Sequence, residues 1–151
     1  FTRDGIGSLI NSTEGVLYWE GSTLINGGGD NRIISLSDSS NNNLIYIRID
    51  STASRFRGYA RGSSGSYTLV TVNSIPQTDN NKIALVWDAT NFRIWINGSE
   101  RVTTTINNSP VGMNTLNLSS PTGSDTFFGK VKQLQVYDTA LTDEQLEALT
   151  S

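Results

Sequence analysis

Apolar and polar residues alternate with a period of two along much of the chain, the pattern of strands that turn one face to a core and one to water. Residues 14–20, EGVLYWE, form the first such run: Leu17 and Trp19 share one face, Val16 and Tyr18 the other. Both faces are apolar, so this strand is expected to be covered in part on each side. The turn Gly27-Gly28-Gly29-Asp30-Asn31 leads into a second strand at 32–36, and the polar loop 37–43 into the clearest hairpin, 44–50 with 55–61. With 51–54 as the connection, Ile45, Ile47 and Ile49 face Ala60, Gly58 and Phe56 on the core side. The opposite side then gathers Tyr46 against Tyr59, Arg48 against Arg57, Asp50 against Arg55, and Arg61. A slip of the register by two residues would leave these side chains on the same face.

A Ser/Gly turn at 62–65 is followed by a strand at 67–73, a loop at 75–81 and a strand at 82–87. With 88–91 as a turn, Trp87, Leu85 and Ile83 face Phe92, Ile94 and Ile96, an apolar surface large enough to require burial. Asn97-Gly98 comes next, the strongest short hairpin signal because both residues accept positive φ, and the chain returns along 99–106. After the loop 107–113, a strand at 114–119 and the loop 121–126, the last strand is expected at 131–137. One helix closes the chain. Thr142 and Gln145 have the spacing of a capping box, Leu141 and Leu146 that of a hydrophobic staple, and Asp143 and Glu144 place negative charge at the positive end of the helix dipole. So short a helix is unstable alone and is expected to lie on a sheet through Leu146 and Leu149. Ten or so short strands at regular spacing, with neither an internal repeat nor an interdomain linker, predict an all-β sandwich.

Two of these stretches carry a family likeness. The run GKVKQLQVYDTALTDEQL, 129–146, resembles the closing strand and terminal helix of laminin-G-like domains in the concanavalin A-like lectin/glucanase group, and KIALVWD followed by FRIWING resembles their central hairpin. The likeness extends from about Glu14 onward and is nearest to the versions carried on bacteriophage tail and other structural proteins. It implies a concanavalin A-like jelly-roll β-sandwich of two antiparallel sheets over 14–151, with residues 1–13 as a tether or first edge segment. It also implies a carbohydrate-binding or adhesion role on a virion or extracellular surface.

Composition narrows the chemistry. The 151 residues suit one domain; 36% belong to the apolar set, and Ser, Thr and Asn supply about a third. The net charge of −3 gives no broad attraction to nucleic-acid phosphates. The absence of Cys removes disulfides and thiolate chemistry, and the absence of His removes the Ser-His-Asp site and imidazole metal ligands. No apolar stretch is long enough to cross a membrane as a helix, so membrane insertion is not expected. The first residue is Phe rather than Met, which reads as a piece of a longer protein.

Glycoside hydrolysis, found in the same group, needs two carboxylates flanking the scissile bond, and the Glu-x-Asp-x-Glu type of motif has no counterpart here. Glu14 and Glu20 stand at opposite ends of one strand, and Asp143, Glu144 and Glu147 belong to an exposed helix. No catalytic residue is expected. Carbohydrate binding, by contrast, suits Tyr46, Arg48, Arg57, Tyr59 and Arg61: ring faces for sugar rings and forked donors for hydroxyls or a carboxylate. Arg48 opposite Arg57 is unfavourable unless an anion or a carboxylate relieves it, which points to an acidic cell-surface glycan as partner. The alternative is a solvated hairpin face with Arg stems laid over the tyrosine rings. Trp95 is a further aromatic candidate, expected to be covered by a loop. Calcium is a conceivable cofactor through Asp30, Asp38 and Asp79, but no motif connects them and Asp in such loops usually makes turns. The competing function class is a ligand-free structural domain that contacts other chains of its parent assembly.

Overall fold

The structure is a computed structural model that describes residues 1–63 and 65–151. Its strands are β1 (Thr2–Arg3), β2 (Gly15–Ser22), β3 (Arg32–Ser37), β4 (Leu44–Ile49), β5 (Phe56–Arg61), β6 (Thr68–Val72), β7 (Asn81–Trp87), β8 (Asn91–Ile96), β9 (Ser99–Thr105), β10 (Thr115–Asn117) and β11 (Lys130–Tyr137). One helix, α1 (Asp143–Thr150), follows. The strands form two antiparallel sheets, one in the order β1-β10-β3-β4-β5-β6 and the other β11-β2-β7-β8-β9, the two-layer jelly-roll sandwich that the alternation predicts. The Ser/Gly turn expected at 62–65 includes Ser64, which lies outside the described residues.

Between the sheets lies a core of Leu17, Trp19, Ile34, Leu36, Ile45, Ile47, Phe56, Leu85, Trp87, Phe92 and their neighbours, nearly all without solvent contact. The 44–61 hairpin has the expected register, with Tyr46 opposite Tyr59, Arg48 opposite Arg57 and Ile47 opposite Gly58. Gly58 has to be a glycine: a Cβ there would overlap Leu85 of the facing sheet and Val70 of β6. The β7–β8 hairpin pairs Trp87 with Phe92, Leu85 with Ile94 and Ile83 with Ile96, and Asn97-Gly98 turns at φ 52° and 82°, as the sequence signal requires.

A second, smaller core lies outside the five-stranded sheet. There Val16, Tyr18, Ala84, Val86 and Trp95 are covered by Leu146 of α1, with Tyr137, Ala140, Leu141 and Leu149 at the rim. This explains the two apolar faces of β2. It also refines the expectation that a loop covers Trp95: the cover comes from Leu146 of α1 together with Ala140 and Leu141 of the loop that leads into the helix. The helix starts on the predicted capping box, Thr142 Oγ1 accepting from Gln145 N and Gln145 Oε1 accepting from Thr142 N. At the other edge of the sandwich Thr2–Arg3 pairs with β10 as the outermost strand of the six-stranded sheet, and Ile6 and Ile10 pack on the main core.

Candidate functional site

Because Ile45, Ile47 and Ile49 point inward from β4, the alternate residues Tyr46 and Arg48 point outward, and β5 presents Arg57, Tyr59 and Arg61 on the same outer face. The structure draws four of these five into one cluster. The Tyr46 and Tyr59 rings lie 4.6 Å apart at 31°, and both Arg48 Nη1 and Arg57 Nη1 donate to Tyr59 Oη at 3.3 Å. Beneath them sits the carboxylate of Asp50, fully buried, with Arg55 Nη2 at 2.6 Å, Arg48 Nε at 3.3 Å and Arg57 Nε at 3.4 Å. Arg61 stands apart at the far end of β5, donating to Gly65 O and Asn41 O with its guanidinium over the Tyr67 ring.

The like charges of Arg48 and Arg57 are thus relieved from within, by a carboxylate. Three guanidinium groups around one Asp50 still leave an excess of positive charge on this face. Burial pushes the Asp50 carboxyl up, but hydrogen bonds from Arg55 and the Thr52 amide, with the charges of Arg48 and Arg57, outweigh it and hold the group below the usual carboxylate range. Burial raises the Tyr46 hydroxyl. Arg57 is held more firmly protonated, first by its hydrogen bond to Tyr59.

The tyrosines do not offer the open ring faces that the sequence suggests. Tyr46 and Tyr59 are each only 9% exposed, packed on one another with Ile33 and Leu44. The open ring is Tyr67, 45% exposed and set edge-on to Tyr59 at 5.6 Å. It was readable in principle: Tyr67 is two residues before Leu69, the cross-strand partner of Tyr59, so period two puts it on this face.

The loops beside the cluster are fixed by buried amides. Gln77 Oε1 accepts from Gly27 N, while its Nε2 donates to the carbonyls of Asp50, Thr52 and Arg55. Asn31 Oδ1 accepts from Arg48 Nε and Ser51 N. Arg32 is buried under the glycine loop, bonded through Nη2 to Gly27 O and stacked on Phe128, and among the described residues its Nε and Nη1 have no hydrogen-bond partner. Of the sequence's acidic candidates, Asp38 holds Ser40 and Asn43 in a turn, Glu14 accepts from Ala140 N, and Glu20 is bound by Asn80. Among the described residues no three His, Cys, Asp or Glu side chains gather as a metal site.

Comparison with known proteins gives the family. No curated protein matches the chain in sequence. In structure it is similar to the CBM40 domain of the Ruminococcus gnavus IT-sialidase, with a TM-score of 0.77 and 16% identity over 100% of this chain and 98% of that one. It is also similar to the leech intramolecular trans-sialidase, with a TM-score of 0.72 and 19% identity over 93% of this chain and 23% of that one. A Limulus polyphemus SAP-like pentraxin gives 0.66 and 15%, over 91% and 70%. At such identities these likenesses show the fold alone. The sequence model of the concanavalin A-like lectin/glucanases superfamily, laminin G type, matches residues 23–147, well over half of the chain. With the sandwich, the central hairpin and the capped terminal helix all in place, the chain belongs to that superfamily.

Proposed function

We propose that this domain is a non-enzymatic glycan-binding module that takes an acidic sugar on the outer face of its six-stranded sheet. The carrying observation is the surplus of guanidinium over carboxylate at Arg48, Arg55 and Arg57, with the open ring of Tyr67 on the same face. A sugar carboxylate would be held by the forked donors of Arg48 and Arg57, and a neighbouring ring would lie against Tyr67. Support comes from the Ruminococcus gnavus CBM40 domain, which has also been solved bound to α2,3 and α2,6 sialyllactose, both carrying an acidic sugar. The parent is inferred to be a virion or other extracellular surface assembly, on the strength of the resemblance of the closing strand and helix to phage structural domains.

The test is a glycan array, with and without calcium, on the wild type, Arg57→Gln and Tyr67→Ala. Binding restricted to sialylated or uronic-acid glycans, lost in Arg57→Gln and weakened in Tyr67→Ala, is the expected result. Silence of the folded wild type across the array would sink the proposal.

One observation favours a second reading, the structural domain without ligand. An open cleft of about 530 Å³ runs between the β1/β10 and β11 edges, walled by Ile6, Leu9, Leu116, Leu134 and Val136. Such an apolar surface suits contact with a neighbouring chain. A silent array would favour it.

A further inference from the structure

We infer that the Asn97-Gly98 turn is a modification site, where the chain cyclises on itself and opens to aspartate or isoaspartate, and that Thr150 of α1 is the latch that sets the rate. The chain has two Asn-Gly pairs, at 26–27 and 97–98. Asn-Gly is the pair most prone to this reaction, since glycine puts no side chain beside its own nitrogen and turns freely. The Gly98 nitrogen attacks Asn97 Cγ. An N–C bond forms as the Cγ–Nδ2 bond breaks, and Nδ2 leaves as ammonia with the proton that the Gly98 nitrogen gives up. Water then opens the cyclic imide at either carbonyl. Nothing is oxidised or reduced, and water is the one co-reactant.

The structure restrains both pairs, by different means. Gly27 is buried, and its N–H donates to Gln77 Oε1 at 2.7 Å. The Asn26 carboxamide is held by Ser54 N, Gln77 N and Ser54 Oγ. Gln77 is fully buried and bonded to the carbonyls of Asp50, Thr52 and Arg55, so this lock belongs to the main fold. At the other pair Gly98 is half-buried and Asn97 exposed. Gly98 N donates to Thr150 Oγ1 at 3.1 Å, and that hydroxyl donates in turn to Leu146 O at 2.7 Å. The latch on the attacking nitrogen is therefore the last residue of α1, the element that closes only the outer core. When the helix end lifts, this nitrogen is released while the inner core stays intact. The Asn97 carboxamide is tied by Lys82 N at 2.9 Å and Asn81 Oδ1 at 3.0 Å, bonds for which water competes at an exposed side chain.

Conversion does not reverse, and it loosens the layer that restrained it. An aspartate at 97 has no N–H for Asn81 Oδ1. Asn81 cannot turn its amide round in compensation, because its Nδ2 is committed to Pro76 O and Asp79 O. An isoaspartate adds a methylene to the backbone of a two-residue turn whose length sets Ile96 opposite Ser99. Either product displaces the turn that receives Thr150, and the hold on α1 weakens with it.

The experiment is peptide mapping by mass spectrometry of the folded domain, incubated at neutral pH and sampled over weeks, on the wild type, Thr150→Val and Thr150→Ser. The rate at each Asn-Gly pair is expressed relative to that of the guanidinium-unfolded chain. Asn97 is expected to convert ahead of Asn26 in the folded wild type. Thr150→Val, which keeps the packing and removes the hydroxyl, should raise the Asn97 rate about fivefold, the share that one net hydrogen bond holds back, and leave Asn26 unchanged. Thr150→Ser should restore the wild-type rate, and the α1 amides of the converted fraction should exchange faster with solvent. Conversion at Asn97 no faster than at Asn26, an Asn97 rate unmoved by Thr150→Val, or equal acceleration of both pairs would each overturn the assignment. So would helix exchange that conversion leaves unchanged.

Discussion

At the scale of single residues, the molecule concentrates its electrostatic risk at Asp50. This carboxylate is sealed from solvent beneath three arginines, so its removal leaves three guanidiniums facing one another without their counter-charge. Breaking a buried pair by deleting one partner typically costs about 3–5 kcal/mol, and the arginines here retain some solvent, so Asp50→Asn is expected to cost about 3 kcal/mol in denaturant unfolding. The pH dependence has a definite sign. The folded carboxyl is held below its unfolded value, so its contribution is fully present above about pH 4 and is lost as the pH falls through the lower, folded pKa. The gap between wild type and Asp50→Asn should be constant at neutral pH and close in acid; a gap that widened below pH 4 would contradict this account. Arg32 presents the reverse case, a buried guanidinium that among the described residues has one hydrogen bond, to Gly27 O, besides the Phe128 ring and the charge of Asp30. Burial lowers its pKa. Arg32→Met keeps the packing on Phe128 and removes the desolvation cost, so unfolding should be unchanged or stabilised by about 1 kcal/mol, whereas a large loss would mean that the charge has an unseen partner.

At the scale of elements, what the sequence discloses follows from the range of the interaction that fixes it. Register was legible in the β4–β5 and β7–β8 hairpins, because period-two alternation and a short turn decide which residues oppose which, as in Tyr46–Tyr59 and Trp87–Phe92, whereas the bulge between Ile94 and Trp95 in the β8–β9 pair was not. The capping box was legible for the same reason, since Thr142 and Gln145 act within one turn. The expected strand at 114–119 was too long: it spans Thr115–Asn117, after which Leu118 O accepts from Phe127 N and Ser119 O from Ser35 Oγ. That departure, the landing of α1 on Trp95 and the pairing of β1 with β10 all depend on partners far along the chain, and no local pattern announces them. The site was half legible: its face and its arginines were, but not the burial of Tyr46 and Tyr59, which depends on how neighbours close over them. Since α1 is held by Leu146 and started by its cap, Thr142→Ala should cost about 1 kcal/mol. Leu146→Ala should cost about 3 kcal/mol and raise Trp95 fluorescence quenching by acrylamide, which Thr142→Ala should do only weakly.

At the scale of the whole molecule, two apolar cores share the five-stranded sheet, and they are not equivalent. The outer one is closed by a single eight-residue helix at the end of the chain, while the inner one joins both sheets and every major hairpin. Local opening therefore belongs to the outer layer, and loss of the inner layer is loss of the fold. Gly58 tests the inner layer at a close approach of the two sheets, since a methyl group would strike Leu85 across the sandwich and Val70 on the next strand. Neither neighbour is free to retreat, as both are buried. Overpacking of this kind costs about 1–3 kcal/mol, so Gly58→Ala should lower the midpoint of a single cooperative transition without separating it into two. It should also speed hydrogen exchange of β4, β5, β7 and β8 together, because both sheets have to move apart. If exchange rose only on β5 and β6, the sheets would be yielding independently, and the sandwich would not be the single cooperative unit that its shared core implies.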